Sequence, residues 1–230
     1  MVMMTEIDSK TAKDFLLPLH YSGRIPSISK AYGWYDGSKL VAVCTFGKPA
    51  SATLCYGICG KGYTNHVYEL NRLCRIDDWH EPLSKFVSWC LRQLKKENWI
   101  IVSYSDTAMN HHGYIYQACN FIYTGQTASR FDYCIPDGKH PRHKFGDRDD
   151  IYNMGKIRSS KYRYVYFCTS NRKLKKLWLK ALTYDILPYP KGDNSNYKLG
   201  HYLTDIYIDK EGNKHKIIKC NTNRNQRQLF

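Results

Sequence analysis

The residues best able to do chemistry gather in one stretch of this chain, Tyr104 to Phe121, which reads YSDTAMNHHGYIYQACNF. It opens as the end of an apolar strand and breaks at Ser105-Asp106. It then passes His111, His112 and Gly113 and closes as an amphipathic helix carrying Tyr116. Three readings compete for it: a metal site, a packed helix, or one half of an active site. Adjacent histidines at a helix start point about 100° apart, given ~3.6 residues per turn, and seldom bind one ion together. His111-His112 therefore fits a helix start beside Gly113. Further on, His140 and His143 flank Pro141-Arg142, which suits a phosphate-contacting loop better than a ligand pair. Asp106 is a carboxylate at a strand end and also a residue type that commonly caps a helix, so base and cap are equal readings of it. The nine cysteines include no CxxC pair, which excludes zinc-ribbon and zinc-finger spacings. Their odd number predicts reduced, mostly buried thiols.

Charge narrows the class of partner. Thirty-five Lys and Arg against twenty Asp and Glu leave +15, spread along all 230 residues. Such an excess favours a polyanion, because phosphate neutralisation supplies most sequence-independent nucleic-acid affinity. Aromatics make up 14%, with twenty tyrosines, and tyrosines among cations suit base stacking. A plain basic surface with aromatic strand packing has the same composition. Hydrophobic residues at 43% predict a globular chain with one sizeable core. The opening MVMMTEIDSK has no basic-then-apolar leader pattern and the apolar runs are strand-sized, so a cytosolic protein without a membrane span is expected.

The elements that must position these residues follow an α/β order. DSKTAKDFLLPL (8–19) reads as a short helix. Two aromatic and β-branched runs joined at Asp36-Gly37 form a hairpin. A Gly-rich loop over 55–65 leads to a long strand, HVYELNRLCRID, on which Arg72 shares a face with Tyr68 and Leu70 while Arg75 takes the other. In EPLSKFVSWCLRQLKKEN, residues Phe86, Val87, Cys90, Leu91 and Leu94 make an apolar stripe at helical spacing. WIIVSYS is nearly continuous in apolar character, as a central parallel strand requires, and strand–helix–strand implies a right-handed crossover. FIYTG and SRFDYCI read as a closing hairpin. Residues 136–160 form a basic, Gly-rich insertion, KYRYVYFC a strand, and 171–182 a basic amphipathic helix. DIYIDKEGNKHKIIK turns at Glu211-Gly212-Asn213, and the tail NTNRNQRQLF is expected to be mobile.

This order predicts a mixed, twisted α/β sheet with helices on both faces. A catalytic domain would span 1–190, with 136–160 inserted, and 191–230 would be a C-terminal hairpin and basic tail. Ligands in such sheets bind beyond the carboxyl ends of the parallel strands. Here those ends are Arg75-Ile76-Asp77-Asp78 and Tyr104-Ser105-Asp106.

The order also resembles the GNAT acyltransferase fold, whose donor lies in a V-shaped gap between two parallel strands. YQACNF is similar to the GNAT motif in which a helix tyrosine precedes a Gly/Asn-Phe pair, and that match implies Tyr116 as general acid for the leaving group. A wider match runs from about residue 16 to residue 190. PLHYSGRIPS, VYELNRL, YSD with GYIYQACNFIYTG, KHPR and KYRYVYF together resemble the phage Mom family of adenine-modifying proteins. The resemblance implies a carbamoylmethyl group placed on the N6 amine of adenine in phage DNA, in the cytoplasm of the infected bacterial host, shielding that DNA from restriction. It implies His20, Tyr21, Asp106 and Tyr116 as catalytic residues and Arg72, Ser84 and Ser105 as donor-binding ones. Nucleic-acid contacts are expected from the basic residues Arg24, Lys139, His140, Arg142, Lys161 and Arg163. One GNAT feature is missing: the Arg/Gln-x-x-Gly-x-Gly/Ala loop that cradles the coenzyme A pyrophosphate. The turn reads RIDDWHEPLSK instead, and carboxylates at a helix start work against phosphate.

The N6 amine is a poor nucleophile because its lone pair is delocalised into the ring. A base must take its proton as the new bond forms, and Asp106 and His20 are of suitable type. With the resemblance, Asp106 is favoured as base over cap. The adenine must leave the duplex and stack between aromatics, for which Tyr21, Tyr104 and Tyr114 are available. Carbamoylmethyl is an isomer of glycyl, so glycyl-tRNA is favoured over acetyl-CoA as donor. The competing route adds a redox iron, with His20 and Asp106 as its ligands. Two other functions stand beside this one: a nucleic-acid-binding module that lost catalysis, and a conventional N-acetyltransferase, which the missing loop disfavours. His20, Asp106 and Tyr116 together favour an enzyme. The loop at 139–148 and the helix over 171–182 are candidates for contacts to the nucleic-acid backbone.

Overall fold

The structure, a computed structural model, describes residues 2–20, 25–107, 111–128, 130–133, 155–158, 160–192, 202–208 and 214–220. Helix α1 (Ser9–Leu19) begins at Asp8, whose carboxylate accepts from the backbone N–H groups of Lys10 and Thr11 at 2.8 and 2.9 Å. Two of the donors left open at a helix start are thereby satisfied. Strands β2 (Lys30–Asp36) and β3 (Lys39–Gly47) make the expected hairpin, turning at Gly37 with φ +59°. Strand β1 (Val2–Glu6) adds antiparallel to β2, an element that sequence reasoning missed.

Next, β4 (Val67–Arg75), α3 (Leu83–Leu94) and β5 (Trp99–Asp106) form the crossover, and β4 and β5 run parallel. The five stripe residues of α3 are all buried. Where a Gly-rich loop was expected, the chain forms α2 (Ala52–Cys59) and a 3-10 turn, Lys61–His66. Burial of Cys55, Ile58 and Cys59 outweighs the modest helix penalty of Gly57, about 1 kcal/mol. Helix α4 (Tyr114–Ala118) follows Gly113, so His111 and His112 precede the helix instead of forming its first turn.

FIYTG and SRFDYCI do not pair with each other. Strand β6 (Ile122–Gln126) pairs with β9 (Lys161–Cys168), whereas β7 (Arg130–Tyr133) pairs with β8 (Gly155–Arg158) in a second sheet. The reason is burial: Tyr164 and Val165 of β9 are fully enclosed, and they require a strand on each side. The main sheet therefore runs β1-β2-β3-β4-β5-β9-β6. The smaller sheet is completed by the C-terminal pair β10 (Tyr202–Ile208) and β11 (Lys214–Cys220), in the order β11-β10-β8-β7. The turn at 211–213, residues 136–154 and 159 of the expected insertion, and the tail 221–230 lie outside the described residues.

One face of the main sheet packs α3 and α4 over Trp34, Phe46, Leu70, Ile101 and Tyr164. The opposite face carries α1 over Ala31 and Val43, and α2 with helix α5 (Arg172–Ala181) over Ile100, Val102, Val165 and Phe167. No helix among the described residues is long and apolar enough to cross a membrane.

Candidate functional site

The parallel pairing of β4 with β5 stops early. Val67, Tyr68 and Glu69 pair with Ile100, Ile101 and Val102, and there the ladder ends. A bulge draws β4 toward β3: Thr45 pairs with Arg72 and Phe46 with Leu70, which leaves Asn71 as the extra residue. Thr45 Oγ1 donates to Asn71 Oδ1 at 2.6 Å, and Asn71 Nδ2 donates to the Ser27 carbonyl at 2.9 Å. At the base of the fork, Ser103 Oγ donates to the Leu70 carbonyl at 2.9 Å. A V-shaped gap results, opening toward the carboxyl ends of both strands.

The bulge corrects the expected facing of Arg72. Directly paired residues share a face, so Leu70 follows Phe46 to the α3/α4 side while Arg72 follows Thr45 to the α1 side. An extra residue reverses the side-chain alternation beyond it. Arg72 thereby joins Glu69 and Asp106 on one face. Burial pushes the Glu69 carboxyl pKa up, and the Arg72 and Lys161 cations pull it back. Asp106 pairs directly with Lys161 across β5 and β9, with Lys161 Nζ 3.8 Å from Asp106 Oδ2 and the Asp106 side chain only 14% exposed. Two carboxylates and two cations on three adjacent strands thus cluster at the fork. Sequence reasoning missed Glu69. Its signal was an acid three residues before Arg72 on the same long strand.

His20 is buried at the end of α1, where its backbone N–H donates to the Leu16 carbonyl at 2.8 Å. It lies on the same side of the sheet as this cluster. Tyr116 lies on the other side, its ring centroid 5.4 Å from Phe121 and 5.3 Å from Tyr164. Asp106 and Tyr116 therefore flank the end of β5 from opposite faces. Buried Ser105 donates through Oγ to the His111 carbonyl at 2.6 Å, which fastens the loop after β5. Ser84 sits in the first turn of α3, its carbonyl accepting from Cys119 Sγ at 3.3 Å. The Arg163 guanidinium lies 3.4 Å over the Tyr184 ring and donates to Thr124 Oγ1 at 3.0 Å and to the Thr124 carbonyl at 2.8 Å. Tyr21, Arg24, Lys139, His140, Arg142 and His143 lie outside the described residues.

Tyr164 positions the loop between β5 and α4. Gly113 adopts φ +80°, and a Cβ there would stand 2.3 Å from the Tyr164 ring. The Tyr164 hydroxyl donates to the His112 carbonyl. Gln117 Nε2 donates to that hydroxyl at 3.1 Å and to the same carbonyl at 3.0 Å.

The turn between β4 and α3 does not fit a coenzyme A pyrophosphate. Pro82 stands at the N-cap without a side-chain cap, and Asp77, Asp78 and Glu81 add negative charge. Arg75 Nη1 donates to the Glu81 carbonyl at 3.3 Å, Lys85 pairs with the Glu81 carboxylate at 3.1 Å, and Trp79 packs edge-on to Trp34 at 5.4 Å. Anions at a helix N-terminus need N–H donors and a favourable field; Pro82 brings no N–H, and Asp77, Asp78 and Glu81 oppose an anion there. Among the described residues, no group of three or more His, Cys, Asp or Glu is placed to hold a metal ion.

A family model described as the Mom protein family matches residues 1–191. A search among curated proteins finds no match. Among solved structures, the chain is similar to an N-acetyltransferase from Staphylococcus aureus, with 10% identity, 74% of this chain and 99% of that chain covered, and a TM-score of 0.47. It is also similar to an acetyltransferase from Bacillus subtilis in complex with CoA, with 14% identity, coverage of 72% and 97%, and a TM-score of 0.41. A GNAT family acetyltransferase from Elizabethkingia anophelis with acetyl-CoA bound matches with 10% identity, coverage of 72% and 97%, and a TM-score of 0.43.

Proposed function

The chain belongs to the Mom protein family, and from that premise we propose that it transfers a glycyl-type group to the N6 amine of adenine in double-stranded DNA. The cluster of Glu69, Arg72, Asp106 and Lys161 at the fork of β4 and β5 carries this reading. Asp106 takes the proton that N6 loses as its bond to the acyl carbon forms. Lys161, 3.8 Å away, balances the charge of that carboxylate. Arg72, on the same face, binds the donor carbonyl as negative charge develops on its oxygen. Tyr116, on the opposite face at the end of β5, returns a proton to the departing oxygen. The target adenine enters the fork after leaving the duplex.

Glycyl-tRNA is the donor we favour. Its ester bond to the tRNA breaks as the amide bond to N6 forms, and the glycyl adduct then isomerises to carbamoylmethyl with no atom gained or lost. The acids and proline at the start of α3 argue against coenzyme A, whose acetyl group also lacks the required nitrogen. The +15 charge suits both a DNA substrate and an RNA donor. The reaction would take place in the cytoplasm of the infected bacterial host, where it would protect phage DNA from restriction.

The test is expression in a bacterium followed by digestion of its DNA to nucleosides. Mass spectrometry should find deoxyadenosine heavier by one C2H3NO unit, and Asp106→Asn should lower its yield by about 10²–10⁴-fold. Unmodified adenine from cells making soluble parent protein would favour a binding module without catalysis. Stoichiometric iron and no RNA in the purified protein would overturn the tRNA donor.

A further inference from the structure

Helix α5 has a charge pattern that its own chain does not explain. Of its ten residues, RKLKKLWLKA, only Trp178 is buried, and Arg172, Lys173, Lys175, Lys176 and Lys180 are exposed with no acid among them. Arg172 and Lys173 stand in the first turn, where cations oppose the helix macrodipole. Arg172, Lys176 and Lys180 follow at intervals of four, where like charges repel. No ion pair among the described residues relieves any of them. The helix N-terminus is already closed by Asn171, whose side chain accepts from the N–H groups of Lys173 and Leu174 at 3.0 and 3.1 Å. Attraction for an anion therefore rests on the side chains alone. A local conflict of this kind, retained in a folded chain, points to a partner outside it.

We infer that Arg172, Lys176 and Lys180 form a ridge that binds the phosphate backbone of the DNA duplex beside the target adenine, an inference that rests on the DNA reading above. At ~1.5 Å rise per residue, steps of four space these cations about 6 Å apart along the axis, on the side opposite Trp178. One DNA strand presents a charge per ~3.4 Å of duplex axis, and its phosphates lie further apart along the winding backbone, so three cations at this spacing can meet up to three phosphates of one strand. Leu177 and Leu179, half exposed, lie about 100° to either side of Trp178 and border the ridge on its two sides.

The ridge and the charge cluster lie on the same side of the sheet. Trp178 packs with Val102, Val165 and Phe167, and the rungs Val102–Val165 and Asp106–Lys161 share a face. From Lys161 to Phe167 along β9 is about 20 Å at ~3.3 Å per residue, close to six base pairs of duplex. A duplex whose flipped base sits at the fork can therefore reach α5 with its flanking backbone.

The test compares full-length R172Q/K176Q/K180Q with K10Q/K13Q/K39Q, which removes the same charge from other exposed positions. Duplex binding is measured across a salt series, with thermal melting to confirm that both variants fold. The ridge variant should lose about 2–3 from the slope of log K against log salt, at ~0.9 per phosphate contact, while the other variant keeps the parent slope. If the triple variant unfolds, Lys176→Gln alone should lose about 0.9. Equal slopes for both triple variants would mean a solvated surface. Loss of the tRNA slope with the duplex slope intact would assign the ridge to RNA; either result overturns the inference. Adenine modification is scored separately by mass spectrometry. A parent that modifies adenine while the ridge variant keeps its duplex slope refutes the ridge alone. A parent that neither modifies adenine nor binds duplex refutes the DNA reading beneath it.

Discussion

Glu69 and Val102 form the last rung joining β4 to β5, so a half-buried carboxylate stands where the two strands part. Burial raises its pKa while Arg72 and Lys161 hold it back. A carboxyl raised in this way favours the folded state while protonated. Its stabilising contribution is complete below the ordinary glutamate range and is lost as pH rises through the folded value. Glu69→Gln cannot ionise and removes that loss. Thermal unfolding from about pH 4 to about pH 7 should show the melting temperature of Glu69→Gln rising relative to the parent. A difference that stays constant with pH would mean that the carboxyl is not desolvated.

Asp106 and Lys161 share a rung as well as an ion pair, and this separates a catalytic from a capping role for Asp106. Asp106→Asn keeps hydrogen-bonding ability and shape but cannot act as a base, so modified deoxyadenosine should fall by about 10²–10⁴-fold. Lys161→Met leaves the carboxylate in place and should reduce modification less. Asp106→Asn with parental activity would leave Asp106 as a structural residue.

The difference between what was and was not legible in the sequence is physical. Helix α3 showed itself through five apolar residues at helical spacing, and β5 through its unbroken apolar run, so Asp106 at a strand end was already in view. The bulge at Asn71 left no periodic trace in ELNRL, and the face of Arg72 was therefore read the wrong way. The partner of β6 was hidden because β9 begins at Lys161, beyond the insertion, and pairing across such a separation has no local signature. The helical fate of 52–59 was hidden by its glycine and decided by burial of Ile58 and Cys59.

Gly113 should be intolerant of any side chain. Its φ of +80° disfavours one, and a Cβ would overlap the Tyr164 ring, which is fully buried and cannot withdraw. Gly113→Ala should cost about 1–3 kcal/mol, read by denaturant unfolding. Tyr164→Phe keeps the ring and removes only the hydroxyl that holds the His112 carbonyl, a loss of about 1 kcal/mol. If Gly113→Ala proves neutral, the loop is not packed against Tyr164 as described.

The bulge is the last test, because it separates stability from chemistry. Thr45 is fully buried and its hydroxyl donates to Asn71 Oδ1 at 2.6 Å. Asn71→Ala leaves that hydroxyl without its acceptor and should cost about 1–3 kcal/mol. Thr45→Val with Asn71→Ala removes both partners and should recover part of the loss, since paired apolar replacement leaves no buried polar group unsatisfied. A double-mutant cycle by urea unfolding gives the coupling between them. The chemistry should not recover in parallel. Without the bond to Asn71, nothing polar from Thr45 holds the bulge, and Arg72 loses its fixed place on the face of Glu69 and Asp106. Adenine modification should therefore stay low in the double variant even where its stability returns. Recovery of both together would show that the bulge contributes to folding and not to the orientation of Arg72.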